Sequence, residues 1–214
     1  MEASTPSQSS LGRSTLRERH AALTRSLILE VARRRFAEQG YTATGVRPIA
    51  EEAGVSVATL YSAFGSKHGL LLALVDLARE QTGGLRTWDL IERSEDPLEI
   101  VALAARLRRQ ILELCGDIVS TLREGAAGDP DAAAVNEEGR RRTRDGITHM
   151  CARLQALEAL HPGLSQKRAV DQVAALFSAE IYEELTGEES RWSADEYEQW
   201  LYERLRDVLL LRGA

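Results

Sequence analysis

The sequence has few residues of the kinds that build disulfide-stabilised, strand-rich or membrane-spanning proteins. Among 214 residues there are two cysteines, five prolines and only 5% aromatic side chains. Two cysteines do not make the disulfide framework of a small secreted domain, and we expect Cys115 and Cys151 to be buried thiols. No apolar run approaches the roughly 20 residues that cross a bilayer. Valine, isoleucine and threonine form no alternating runs, so strands are not expected.

Good helix formers dominate instead, since the chain is rich in alanine, leucine, glutamate and arginine. Charge is unevenly spread: the first 80 residues carry ten basic and eight acidic side chains, and the other 134 carry 17 and 25. This asymmetry is compatible with a nucleic-acid-binding segment on an acidic body. The opening "MEASTPSQSSLGR" lacks the apolar core of a signal peptide, so we expect a cytoplasmic protein whose residues 1–15 form a disordered polar arm.

Apolar periodicity and capping residues predict an all-α fold of about nine helices. Asp96 and Ser193 are placed to cap two of them, and a polar linker follows the Gly83–Gly84 pair. The segments expected to be helical are residues 16–39, 46–53, 57–64, 66 to about 82, 97 to 114 or on to 123, 131–160, 166–185 and 194–211.

One segment, "EEAGVSVATLYSAFGSK" from Glu51 to Lys67, is interrupted by two glycines and is poor in charge between them. Two short helices joined by a glycine-containing turn form the helix-turn-helix pattern. Gly54 suits the left-handed backbone that the turn needs, and Ser56 is placed to cap the second helix. That helix would enter a DNA major groove, where a neutral surface fits between base edges while its flanks contact phosphates.

The stretch from Ile28 to Leu74, "ILEVARRRFAEQGYTATGVRPIAEEAGVSVATLYSAFGSKHGLLLAL", resembles the DNA-binding domain of TetR/AcrR-type bacterial transcriptional regulators. The resemblance implies a three-helix helix-turn-helix domain over residues 16–65 and a larger helical effector-binding and dimerisation domain over residues 66–214. Residues 66–82 would be the linking helix. It further implies a ligand-responsive repressor that binds a palindromic operator as a dimer.

The same resemblance implies DNA-binding roles for matched positions. The residues expected to bind phosphates are Thr44, Arg47, Tyr61 and Lys67. The residues expected at or beside the base edges are Val57, Ala58, Thr59 and Ser62, with Ser56 as the helix cap. Valine and alanine cannot make bidentate contacts to guanine but can contact thymine methyl groups. We therefore expect an operator recognised partly through thymine methyls and DNA shape.

For the body, the resemblance implies a pocket for an unknown small-molecule effector among the middle helices. The candidates by position are Trp88, Leu107, Ile111, Cys115, His149 and Met150. It also implies a four-helix dimer interface made by two apolar stripes near the C-terminus. Their members are Val173, Phe177, Ile181, Leu185, Tyr197, Trp200, Leu201, Leu205 and Val208. The alternative, that both stripes face the core of their own subunit, stays open.

Two basic segments also allow two interpretations each. Arg13, Arg17 and Arg19, before the first predicted helix, either reach the DNA or form a solvated segment. The run "EEGRRRTRDG" is either a solvated helix face or a site where Arg140 or Arg144 binds an anionic effector.

Motifs of catalysis are not found: metal-ligand spacings, phosphate-binding glycine loops and nucleophile elbows do not occur. We therefore expect a protein that is not an enzyme and has neither metal nor cofactor. The expected partners are a double-stranded DNA operator, a small-molecule effector and a second copy of the chain, with no membrane. The rival hypothesis is a small-molecule-binding or protein-interaction module that has lost specific DNA binding, because the second motif helix is uncharged.

Overall fold

The structure is a computed structural model that describes the backbone of residues 8–211 and the side chains of residues 18–211. The predicted all-α class is confirmed, since the described residues form ten helices and no strand, with one isolated bridge between Leu160 and Leu210. The helices are α1 (Gln8–Gln39), α2 (Val46–Glu52), α3 (Val57–Phe64), α4 (Lys67–Thr82), α5 (Gly84–Arg93), α6 (Pro97–Gly125), α7 (Pro130–Ala156), α8 (Gln166–Leu176), α9 (Ala179–Thr186) and α10 (Ala194–Leu209).

The first helix is longer than the sequence predicted. α1 begins at Gln8, so residues 8–15 of the predicted arm are helical, whereas residues 1–7 lie outside the described part of the chain. The side chains of Arg13 and Arg17 also lie outside it, and Arg19 is an exposed residue of α1.

The chain divides into two compact units, residues 1–74 and 75–214, and the boundary falls inside α4. The first unit has a core in which Ile28 and Phe36 of α1 are buried together with Ile49 of α2 and Leu60 of α3. Arg34 and Arg35 of α1 both donate to the carboxylate of Glu52 at the end of α2. These hydrogen bonds lower the pKa of Glu52, because they stabilise its ionised form.

The second unit is built on α6, which packs against α5, α7 and α10. α6 runs through both of the ends that the sequence left open, but Cys115 has a non-helical backbone (φ −137°, ψ 17°) that bends it. The predicted linker after Gly83 was wrong for residues 84–93, which form α5. Gly83 adopts a left-handed backbone (φ 59°) that ends one helix, and the amphipathic segment after it starts another by burying Ile91.

The predicted helix over residues 166–185 is divided in two. Ser178 has an extended backbone (φ −59°, ψ 137°), which ends the hydrogen bonding of α8 after Phe177 and lets α9 begin at Ala179. Both prolines expected at helix starts are in place, and Asp96 caps α6 by accepting from the Leu98 amide at 2.9 Å. Ser193 and Glu196 form the predicted capping box of α10.

The predicted dimer interface was wrong for five of its nine residues. The side chains that lie in the core of their own subunit are Val173, Phe177, Tyr197, Leu201 and Leu205. They pack among the helices around α6, which supports the alternative interpretation, because a side chain excluded from solvent within one subunit has no surface to offer another. The half-buried remainder, Ile181, Leu185, Trp200 and Val208, is still partly open to solvent.

Candidate nucleic-acid interface and ligand cleft

The turn between α2 and α3 has the backbone that its glycine predicted. Gly54 has φ +66°, a value that side chains with a Cβ rarely adopt. The Val55 amide donates to the Ala50 carbonyl at 3.0 Å, and Ala50 and Ile49 are fully buried beneath the turn. The turn therefore holds α2 and α3 in a fixed crossing arrangement.

α3 is capped at both ends. Ser56 accepts a hydrogen bond from the Thr59 amide at 3.0 Å, and Gly65 ends the helix with φ +75° and an amide that donates to the Tyr61 carbonyl at 2.8 Å. Leu60 and Phe64 face the core. The opposite face presents Ala58, Thr59, Tyr61 and Ser62 to solvent, with Val57 half-buried, and α3 contains no charged residue.

The predicted phosphate-binding residues differ in their surroundings. Lys67 donates to the Thr42 carbonyl at 3.3 Å and lies 4.2 Å from the centre of the Tyr41 ring, so its ammonium is held beside the turn after α1. Arg47 is exposed, with Glu51 one turn away at 3.9 Å. Tyr61 is 47% exposed on α3.

Thr44 does not lie on this surface, contrary to the prediction. Only 2% of the residue is exposed, and its hydroxyl donates inward to the Gly40 carbonyl at 2.8 Å, with the Arg35 carbonyl at 3.2 Å. A short threonine side chain bound in this way braces the end of α1 and the start of the next turn. It therefore has no free hydroxyl to offer a phosphate.

In the second unit, a cleft of about 210 Å³ lies between α5 and α7. Two of the predicted effector residues, Trp88 and His149, line it, together with Ile91, Glu92, Arg142, Asp145 and Gly146. The other four do not line this cleft. Leu107, Cys115 and Met150 are buried, and Ile111 is half-buried elsewhere on α6.

The two helices that border the cleft approach most closely at Gly146. A Cβ at this position would lie 2.6 Å from Cζ2 and 2.7 Å from Cε2 of Trp88, so the indole rests directly on the α7 backbone. At the rim, His149 Nδ1 lies 3.9 Å from a Glu92 carboxylate oxygen. The cleft therefore combines an aromatic wall with titratable groups.

Residues 28–74 match the family model described as bacterial regulatory proteins, tetR family. The N-terminal unit carries a tetR-family domain. The match covers this unit and confirms the resemblance to TetR/AcrR-type regulators, but it does not reach the second unit. No curated protein is similar enough in sequence to count as a relative.

Solved structures of regulators share the fold over both units of this chain. NalD of Pseudomonas aeruginosa, described as the secondary repressor of the MexAB-OprM multidrug efflux pump, is 20% identical, with a TM-score of 0.72 over 90% of this chain and 98% of NalD. A putative transcriptional regulator from Saccharomonospora viridis in complex with choline is 22% identical, with a TM-score of 0.69 over 89% and 100%. The SmeT–triclosan complex is 17% identical, with a TM-score of 0.73 over 89% and 93%. At these identities the likeness establishes the fold.

The tetR-type domain contains one exposed cation that the sequence did not single out. Arg25 of α1 donates to the Ala63 carbonyl at 2.7 Å, and its guanidinium lies 4.2 Å from the centre of the Phe64 ring. The 38 residues between Arg25 and Ala63 explain why no local motif signals the contact. It depends on how α1 and α3 pack.

The basic run of α7 is largely neutralised by neighbours in the structure. Arg141 and Arg142 both donate to Glu138 and lower its pKa to about 2, while Arg144 pairs with Asp171 of α8. Arg140 lies 4.0 Å from Glu137. This favours a solvated helix face over a site for an anionic effector.

Metal binding and membrane insertion can be examined only for the described residues. Within them, no three side chains of histidine, cysteine, aspartate or glutamate gather closely enough to hold a metal ion. Burial raises the pKa of the Cys151 thiol to about 12, which keeps it neutral. None of the helices described combines the length and the apolarity of a membrane span.

Proposed function

We propose that this chain is a ligand-responsive transcriptional repressor that acts in the bacterial cytoplasm and binds a palindromic DNA operator as a homodimer. The main support is the geometry of the tetR-type domain, where a capped α3 presents a neutral, solvent-exposed face after the Gly54 turn. An α-helix with small side chains on one face fits the major groove. The repressor and regulator descriptions of similarly folded proteins agree with this role.

The operator would be recognised by Val57, Ala58, Thr59 and Ser62 at base edges. Because the first two are apolar, thymine methyl groups are their best partners, and DNA shape supplies further discrimination. Tyr61, Lys67 and Arg47 would contact phosphates beside the groove, where Lys67 is already held by the Thr42 carbonyl. Thr44 acts in this proposal only as an internal brace.

A homodimer would give the specificity that one small domain cannot supply. Two identical heads recognise half-sites about 34–36 Å apart, so a two-fold protein needs a palindromic site. The half-buried apolar residues of α9 and α10, Ile181, Leu185, Trp200 and Val208, remain available for contact with a second copy. Trp192 stacks edge-on against Trp200 with ring centres 6.4 Å apart and extends this surface.

The effector would bind at the cleft of Trp88 and His149. Proteins of this fold hold small organic molecules, as the choline and triclosan complexes illustrate. α5 and α7 border the cleft and pack on α6, whose bend at Cys115 contacts α4 through a weak hydrogen bond from the thiol to the Ala78 carbonyl at 3.9 Å. A ligand can change DNA binding only if its affinity differs between two arrangements of these helices.

Selection of random double-stranded DNA by the purified full chain tests the proposal. We expect enrichment of a palindrome with thymines opposite Val57 and Ala58, and binding that weakens steeply as salt rises. Enrichment without two-fold symmetry would contradict the dimeric arrangement. Recovery of no preferred sequence at any salt concentration would support the rival, a module without specific DNA binding.

A further inference from the structure

A groove of about 510 Å³ runs between α1 and α3 on the solvent side of the tetR-type domain. Thr24 and Arg25 line it from α1, and Ala58, Thr59, Ser62 and Ala63 line it from α3. Four of these six residues are alanines or residues with a small hydroxyl side chain on α3. The groove therefore borders the same face of α3 that is proposed to meet base edges.

Arg25 is the cation of this groove, and it is held in place without being neutralised. Its hydrogen bond to the Ala63 carbonyl and its stacking on Phe64 fix the guanidinium at the last turn of α3. A guanidinium has five N–H donors, so most of its hydrogen-bonding capacity is left over. Within the described part of the chain, no carboxylate forms an ion pair with Arg25, in contrast to Arg34 and Arg35, which share Glu52.

The chemistry of a duplex explains what such a groove can accept. A helix inserted in the major groove is flanked by the phosphate backbones that form the groove walls, and neutralising these phosphates supplies most of the sequence-independent affinity. α3 has no charge of its own, so its neighbours must supply it. Small side chains allow the backbone to approach closely, and threonine and serine hydroxyls donate readily to phosphate oxygens.

We propose that the α1–α3 groove seats one sugar–phosphate strand of the operator and that Arg25 binds a phosphate there. Thr59 and Ser62, at the edge of the groove, donate to the same strand when they are not engaged with bases. This inference rests on the proposed DNA-binding function and adds α1 to the DNA-contacting surface. Arg25 thus has two roles, since it also fixes the end of α3.

Salt dependence separates phosphate binding by Arg25 from a purely positioning role. Binding of the full chain to its selected operator is measured by fluorescence anisotropy between about 50 and 200 mM salt for Arg25→Gln, Arg25→Lys and the remote control Arg140→Gln. We expect Arg25→Gln to reduce the slope of log affinity against log salt by about 0.9, the value for one phosphate contact. Arg25→Lys and Arg140→Gln should retain the slope of the original protein. If Arg25→Gln weakens binding but leaves the slope unchanged, Arg25 only positions α3 and the inference is wrong.

A second pair of variants tests the groove without touching Arg25. Ala21 lines the groove and is exposed, whereas its exposed neighbour Ala22 does not line it. A glutamate at position 21 places a negative charge beside the proposed strand, so Ala21→Glu should weaken operator binding at low salt by at least about fivefold relative to Ala22→Glu. Equal affinities of the two variants would overturn the inference even if Arg25→Gln fails to fold. A loss of specific binding by the unmodified protein itself would instead refute the proposed function, and the inference with it.

Discussion

Replacing Gly146 with alanine should show how tightly the ligand cleft is built. The new Cβ would lie 2.6 Å from Cζ2, 2.7 Å from Cε2 and 3.1 Å from Cη2 of Trp88. Carbon atoms in favourable contact are about 3.5–4.0 Å apart, so the indole and α7 must separate by roughly 1 Å. Overpacking of this kind destabilises by about 1–3 kcal/mol, which is offset by about 1 kcal/mol because alanine is the better helix former.

Gly139, two turns earlier on α7, provides the matched control. A Cβ there meets no atom within 4 Å, so Gly139→Ala should stabilise the protein by about 0.5–1 kcal/mol. The difference between the two variants isolates the contact with Trp88 and should be about 1–3 kcal/mol. In a chain of this size that corresponds to a separation in Tm of about 2–4 °C for each kcal/mol.

Thermal unfolding of the full chain, followed by circular dichroism and by tryptophan fluorescence, measures this difference. The destabilisation should shrink in a Trp88→Leu background, because leucine lacks the three indole atoms that clash. Equal Tm values for Gly146→Ala and Gly139→Ala would refute the close approach of α5 and α7, and with it the geometry of the cleft.

Three further changes test the two units separately. Gly54→Ala forces a side chain into φ +66° and should cost about 1–2 kcal/mol together with operator affinity, whereas Gly54→Asn should lose less, because asparagine tolerates this backbone; Tm and anisotropy measure both, and equal losses would argue against a left-handed turn. Lys67→Ala should lower the salt slope of operator binding by about one unit with little change in Tm, and an unchanged slope would remove Lys67 from the phosphate contacts. Because the pKa of Cys151 is raised to about 12 from 9.0, its contribution to stability is complete below pH 9 and is lost as the pH rises toward 12. Native protein at pH 8 should therefore leave Cys151 unmodified by a thiol reagent that labels it after denaturation, and rapid labelling of the native state would contradict its burial.

Features that depend on neighbouring residues were predictable from the sequence. Gly54, Ser56, Asp96 and Ser193 act on backbone groups a few residues away, so residue type and spacing are enough to predict their conformations or caps. The all-α class follows for the same reason, since helix propensity and periodicity are local properties.

Helix boundaries were less predictable where burial competes with local signals. The Gly83–Gly84 pair signals an end, and it does end α4, but the segment after it is helical because packing against α6 and α7 rewards its apolar face. Conversely, the good helix formers around Phe177 conceal a break that tertiary packing imposes at Ser178. In both places, contacts outside the segment outweigh propensity.

The orientation of surfaces could not be predicted from one-dimensional periodicity. A stripe such as Tyr197, Leu201 and Leu205 shows that one side of a helix avoids water, but the pattern is the same whether the stripe meets its own core or a second subunit. Likewise, Trp88 and His149 could be proposed as effector residues by position, but not as neighbours across a cleft.

The sequence by itself determined the helical class, the glycine turn, the caps and the neutral α3 helix, because each depends on chemistry within a few residues. Only the tertiary structure decided that Thr44 faces inward, that five of the C-terminal apolar residues belong to the core, and that Arg25 lies beside α3. These outcomes depend on contacts between residues far apart in the chain. No local propensity encodes such contacts, because they form only when the helices pack.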